Sequence, residues 1–337
     1  MNSQIPMQQL GADWRTQLRD AQISVAELLA ALDLAPGSVD VSAAAQEAFA
    51  LRVPAAFIRR MRRGDPEDPL LLQVLPQRRE MQQAPGYHRD PVGETGAANP
   101  RPGVVHKYHG RALLIVTGSC AVNCRYCFRR HFPYHDNRVG RAGWREALAH
   151  VRDDSSISEV ILSGGDPLVA GSRQLHELVD EIAAIEHVRR LRVHSRLPVV
   201  LPDRVTRSLT GALTRPDLTT VMVLHANHAR EIDADVTRAV AALREAGMQL
   251  LNQAVLLAGI NDTLQAQVAL SESLLSAGVL PYYLHLLDRV QGAAHFEVPE
   301  QEARALYRSM RASMPGYLLP RMVRETAGAE AKIGLDI

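Results

Sequence analysis

From residue 112 onward the chain alternates two kinds of apolar pattern. Short aliphatic runs have the length and composition of strands: ALLIVTG (112–118), EVILSGG (159–165), RLRVHSR (190–196), TTVMVLHA (219–226), QLLNQAVLL (249–257) and LPYYLHLLD (280–288). Between them, residues 143–152, 172–185, 202–213, 231–247 and 263–278 place apolar side chains at helical spacing. Several of these stretches open on Asp, Ser, Thr or Pro and two run into Gly, as helix starts and stops do. Six successive βα units predict a parallel sheet with right-handed crossovers, either an open sheet or a barrel.

The flanks read differently. Ser24 and Glu27 have the spacing of a capping box at the start of SVAELLAALDL, and further helices are expected near 4–19 and 54–63. Residues 84–104 are rich in Pro and Gly and read as a connector. A helix is expected over 299–313, then a strand-like GYLLPRMVRE and the segment TAGAEAKIGLDI. The division expected is a helical appendage with connector (1–100), an α/β unit (101–298) and a C-terminal helix, strand and final segment (299–337).

In both sheet architectures chemistry gathers where strands end. Here the unusual residues fall at those ends: three cysteines after the first strand, GGDP after the second, HSR after the third and HANH after the fourth. The fifth strand carries Asn252 and Gln253, and the sixth ends in Asp288.

Composition narrows the setting. Hydrophobic residues make up 46% of 337 and aromatics only 4%, which suits a large core of aliphatic strands and helices. Lys plus Arg total 38 against 37 Asp plus Glu, so overall charge points to no nucleic-acid partner, and RRMRR (59–63) reads as a solvated helix end. No apolar run approaches the roughly 20 residues that span a bilayer. The start, MNSQIPMQQLGADW, lacks a basic stretch followed by an apolar one, so secretion is not expected. Clustered thiols fit a reducing compartment, and cytoplasm is the expected location.

All three cysteines, Cys120, Cys124 and Cys127, lie in SCAVNCRYC. A structural zinc site wants four ligands, which His131 or His135 would complete, and a non-catalytic zinc protein is one reading. Against it, all the thiols share one loop on the rim where other polar residues converge. An iron–sulfur cluster is the other reading: three thiolates on a [4Fe–4S] cluster leave one iron open to a substrate's amine and carboxylate.

The spacing CAVNCRYC resembles the CxxxCxxC signature of radical S-adenosylmethionine (SAM) enzymes, including an aromatic, Tyr126, before the third cysteine. That resemblance implies a cluster, fed by an external electron donor, that cleaves SAM to a 5′-deoxyadenosyl radical. The stretches KYHGRALLIVTGSC, CRYCFRRHF, LSGGDPL, HSRLPVVLPDR, NQAVLLAGIND and PYYLHLLDRVQGAAHF are similar to the lysine 2,3-aminomutase family over roughly residues 65–332. The family implies an α/β fold, a partial (βα)6 barrel of the radical SAM type, and a 1,2-amino shift using both SAM and pyridoxal phosphate (PLP).

Carried over residue by residue, the resemblance places Tyr126, Gly164, Gly165, Asp166, His225 and Gln253 about SAM. PLP requires a lysine for its Schiff base. The chain has only Lys107 and Lys332, and Lys332 matches the family position, although its turn, TAGAEAK, has fewer glycines. Lys107 stands where the family commonly has an arginine for the PLP phosphate, and Arg111 is expected to pair with that phosphate or with Asp288. Arg129 matches the clamp for the amino-acid carboxylate. Asp288 and Glu325 match the acids for the distal ammonium, and two carboxylates there select L-lysine over an anionic substrate. The short tail, with AVNCRYCFRRHFPY and VQGAAHF, resembles the branch that makes (R)-β-lysine for a ligase acting on elongation factor P. Catabolic or osmolyte-producing members share the same chemistry. The reading leaves a homo-oligomer open.

Overall fold

The computed structural model describes residues 13–137 and 141–335. Nine strands form one sheet in chain order: β1 (Val104–Tyr108), β2 (Arg111–Thr117), β3 (Glu159–Gly164), β4 (Arg190–Ser195), β5 (Thr219–His225), β6 (Gln249–Val255), β7 (Leu280–His285), β8 (Arg321–Arg324) and β9 (Ile333–Gly334). Strands β2 to β8 run parallel, while β1 and β9 pair antiparallel at the two ends, so the curved sheet is not closed.

Alternation along each strand separates two faces. Leu191 and Val193 of β4, Met222 and Leu224 of β5, and Leu284 of β7 belong to the main core. Their alternates, including His194, His225 and His285, turn to the inner face. The connecting helices that cover the other side of the sheet also follow the expected signals. Five short N-terminal helices are α1 (Trp14–Arg19), α2 (Val25–Ala31), α3 (Ala43–Ala48), α4 (Ala55–Ile58) and α5 (Pro69–Leu72); α6 (Arg141–Asp153) and α7 (Ser172–Ala183) follow β2 and β3. After β4 come α8 (Leu197–Val200) and α9 (Arg207–Leu213), then α10 (Ala234–Glu245), α11 (Leu264–Ala277) and α12 (Glu300–Ser313). The Ser24–Glu27 capping box is formed. Thr263 caps α11, and Gly278 ends it in the left-handed region at φ 86°, where a Cβ would be strained.

Some of these expectations change and some hold. The helix expected over 202–213 is broken, because Arg204 turns inward and is fully buried, donating to Leu168 O, Ala170 O and Ser172 Oγ. The helix expected near 54–63 ends at Ile58, and RRMRR is not simply solvated: Arg60 is buried against Asp233 at 3.0 Å. The connector ends in strand β1, and GYLLPRMVRE supplies β8, which continues the same sheet. Of the helix expected over 4–19, residues before 13 lie outside the described residues.

Candidate active site

The cysteine loop leaves β2 and is gripped by the N-terminal helices. Asn123 N donates to Arg52 O at 3.0 Å, and Arg125 N to Gln73 O at 2.9 Å. The fully buried Arg125 guanidinium forks onto Glu80 at 2.6 and 2.8 Å and reaches Phe49 O and Ala45 O. Arg130 shares the same Glu80 carboxylate at 2.8 Å.

GGDP closes against this loop. Gly165 N donates to Thr117 O at 2.7 Å and Asp166 N to Ser119 O at 2.9 Å. A Cβ would stand 2.4 Å from Thr117 O at Gly164, whose φ is 120°, and 2.5 Å from Ser119 O at Gly165. Only glycine admits that approach. Asp166 holds the loop in place. Its buried carboxylate accepts from Ser195 Oγ and from the N–H groups of Leu168, Arg196 and Leu197, so it anchors the β3 and β4 ends rather than offering itself to a ligand.

Around the thiols the chain supplies charge and an apolar wall. Burial first, then the neighbouring thiols, pushes Cys120 well above its ordinary value and Cys127 up to about 11. Arg196 Nη1 donates to Cys124 Sγ at 2.8 Å and to Tyr126 Oη at 2.6 Å, while Nη2 donates to Gln73 Oε1 at 2.6 Å and Glu231 Oε2 at 2.9 Å. Tyr126 also receives Asn227 Nδ2 at 2.6 Å and packs with Leu257, Leu287 and Phe296. His225 Nε2 lies 3.3 Å from the Tyr126 hydroxyl, and burial beside Arg196 lowers His225 to about 3, keeping it neutral. Gln253 is the register neighbour of His225 on β6. A buried tyrosine with an apolar wall and adjoining polar groups fits a flat heteroaromatic ligand with a polar tail.

A second group of residues gathers where the two ends of the sheet meet, with Lys107 on β1 and Glu325 and Lys332 after β8. Glu325 bridges Lys107 and Lys332; burial would raise its carboxyl, but the two ammonium groups hold it well below the usual range. Lys332 Nζ stands 5.9 Å from the Tyr283 ring centre. Lys107 also donates to Val92 O at 3.1 Å, and Arg111 stacks on Tyr108 at 4.7 Å. Burial, then the nearby Glu325, pushes Asp288 up to about 7. Arg129 is buried, donating to Glu94 at 2.5 and 2.8 Å and to Ser163 Oγ at 2.9 Å. A lysine amine paired with a carboxylate beside an aromatic ring, with further cations adjacent, fits a phosphorylated aldehyde such as PLP.

The histidines weighed for zinc engage elsewhere: His131 Nε2 lies 3.2 Å from Gln291 O, and His135 pairs with Asp136 at 2.9 Å. Among the described residues, no three His, Cys, Asp or Glu side chains close around a single metal ion.

Comparison with known proteins decides between the readings. A family profile described as a 4Fe-4S single cluster domain matches residues 108–191. The L-lysine 2,3-aminomutase of Escherichia coli (strain K12) is 48% identical over 96% of this chain and 95% of that one. This chain belongs to the lysine 2,3-aminomutase family. The L-lysine 2,3-aminomutase of Clostridium subterminale is 32% identical over 95% of this chain and 77% of its own length. Among solved structures, SuiB of Streptococcus suis bound to S-adenosylmethionine aligns with a TM-score of 0.45 at 11% identity, over 68% of this chain and 53% of that one, too slight a likeness to add to the assignment.

As a lysine 2,3-aminomutase family member the chain is a radical SAM isomerase, with a [4Fe–4S] cluster and SAM as cofactors. PLP is the family's third cofactor. The expected residues divide into two groups, Cys120–Tyr126–His225 around the cysteine loop and Lys107–Glu325–Lys332 between β1 and the segment that follows β8, with Arg129 bonded to β3. Three residues that hold the cysteine loop's surroundings, Gln73, Arg196 and Glu231, were not among the expected ligands. HSR was the signal for Arg196; Glu231 lies beyond HANH, and nothing in the sequence marks it or Gln73.

Proposed function

We propose that the protein converts L-lysine to (R)-β-lysine with PLP held by Lys332, and that this β-lysine serves modification of elongation factor P in the cytoplasm. The observation that carries the reading is the Lys332–Glu325–Lys107 arrangement, one lysine for the cofactor's aldehyde and one for its phosphate. When bound, the cluster supplies the electron that cleaves SAM, and PLP supplies a conjugated ring over which unpaired spin spreads while nitrogen moves.

The chain's own residues do the rest. Cys120, Cys124 and Cys127 hold the cluster, and Tyr126, His225, Gln253 and the Gly164–Gly165 edge position SAM. Arg129 takes the substrate carboxylate, and Asp288 with Glu325 takes its distal ammonium. The sheet's inner face keeps the partners in register and shields them from water. An external reductant feeds the cluster. The elongation factor P role is supported by the resemblance of the cysteine stretch to that branch. Among the described residues no helix is long and apolar enough to cross a membrane, which agrees with the proposed location.

Lys332→Ala tests both levels of this reading. The purified variant is expected to lose the visible absorbance of lysine-bound PLP, and a strain carrying it to accumulate elongation factor P without the β-lysyl mass increment. An unchanged spectrum refutes the PLP assignment. A normal factor mass in a strain that makes no β-lysine refutes the elongation factor P role.

A further inference from the structure

Arg129 presents its Nε and Nη2 as a fork, and Glu94 fills that fork: Nε donates to Oε2 at 2.5 Å and Nη2 to Oε1 at 2.8 Å. The third nitrogen, Nη1, donates to Ser163 Oγ at 2.9 Å and Gly164 O at 3.3 Å. Both side chains are buried. A paired N–H fork is the geometry by which an arginine takes an amino acid's carboxylate, so Glu94 sits where that carboxylate would bind.

The surroundings of Glu94 suit exchange. It lies outside any strand or helix, in a turn shaped locally by Asp90, which accepts from the N–H groups of Glu94 and Thr95 at 2.9 Å each. Lys107 Nζ stands 3.9 Å from Glu94 Oε1. A carboxylate leaving Arg129 therefore keeps a cation beside it and is not stranded as an unpaired buried charge, the usual cost of breaking such a pair.

We propose that Glu94 is an affinity-setting residue, an internal carboxylate that the substrate's α-carboxylate displaces from Arg129. The inference rests on the proposed carboxylate role of Arg129. A ligand that must open an internal pair binds more weakly by the free energy of opening it, and only a ligand with its own carboxylate recovers the loss. Glu94 thus favours amino acids with a free carboxylate and keeps affinity for them moderate.

The test uses the full chain loaded with cluster, PLP and SAM under anaerobic conditions. Dissociation constants of L-lysine and L-lysinamide are read from the change in PLP absorbance. Glu94→Gln is expected to tighten L-lysine binding roughly tenfold and leave L-lysinamide unchanged, with KM falling more than kcat changes. Unchanged or weaker L-lysine binding overturns the proposal, as does a common shift for both ligands, which a purely structural role would give. If the Gln variant does not fold by thermal unfolding, Glu94→Asp, charged but shorter, is expected to give a smaller tightening; no tightening overturns the proposal. Arg129→Gln, which removes the positive charge, separates the two levels. Retained preference for L-lysine over L-lysinamide overturns the Arg129 assignment and this inference with it. Lost preference in Arg129→Gln, with no tightening in Glu94→Gln, overturns this inference alone.

Discussion

Asp288 carries a strong pH signature. Burial, then Glu325, pushes its carboxyl up to about 7, against the opposing pull of Lys332 and Lys107. A carboxyl raised on folding favours the native state while protonated; that contribution is complete below the unfolded value of about 4 and is lost as pH rises through the folded one. Asp288→Asn should therefore gain stability over the wild type as pH rises from about 4 to about 7, levelling beyond, in urea unfolding followed across pH. A difference independent of pH contradicts the assignment. At this scale, residues proposed for their chemistry by type, the cysteines and Lys332, stand out in the sequence itself. Residues whose role comes from a distant partner do not: Glu94 meets Arg129 across 35 positions and Gln73 meets Glu231 across 158. Asp166 shows the converse, a residue legible as special whose carboxylate is used up on Ser195 and three backbone donors.

Among the elements, the cysteine loop depends on the N-terminal helices more than the strand pattern suggested. Glu80 lies in a short 3-10 turn and is buried beneath Arg125 and Arg130, pairing with both. Glu80→Ala strands two buried guanidinium groups, which costs about 3–5 kcal/mol. The expected outcome is a lower unfolding midpoint and a loop that no longer retains four irons after anaerobic reconstitution. Wild-type stability with full iron retention argues against the clamp. Six strands and most helices were read correctly because period-2 and period-3.6 patterns report burial directly. The 202–213 stretch was misread because a buried arginine, satisfied by carbonyls from another loop, looks like a polar helical position.

For the whole molecule, one open sheet carries both groups of candidate residues, and its two ends meet where Lys107 of β1 pairs with Glu325 after β8. The cysteine loop follows β2, at one end of the sheet, and Lys332 adjoins β9, at the other. Arg129 bonds to Ser163 and Gly164 of β3, and Asp288 follows β7 near Glu325, Lys332 and Lys107. The proposed chemistry needs cluster, SAM, PLP and substrate in register. The most direct measurement is anaerobic incubation of the reconstituted protein with L-lysine, SAM, PLP and dithionite, followed by chiral chromatography. The account predicts (R)-β-lysine, formed only when all three cofactors are present. Unaltered L-lysine, from protein carrying an intact cluster and bound PLP, would contradict it.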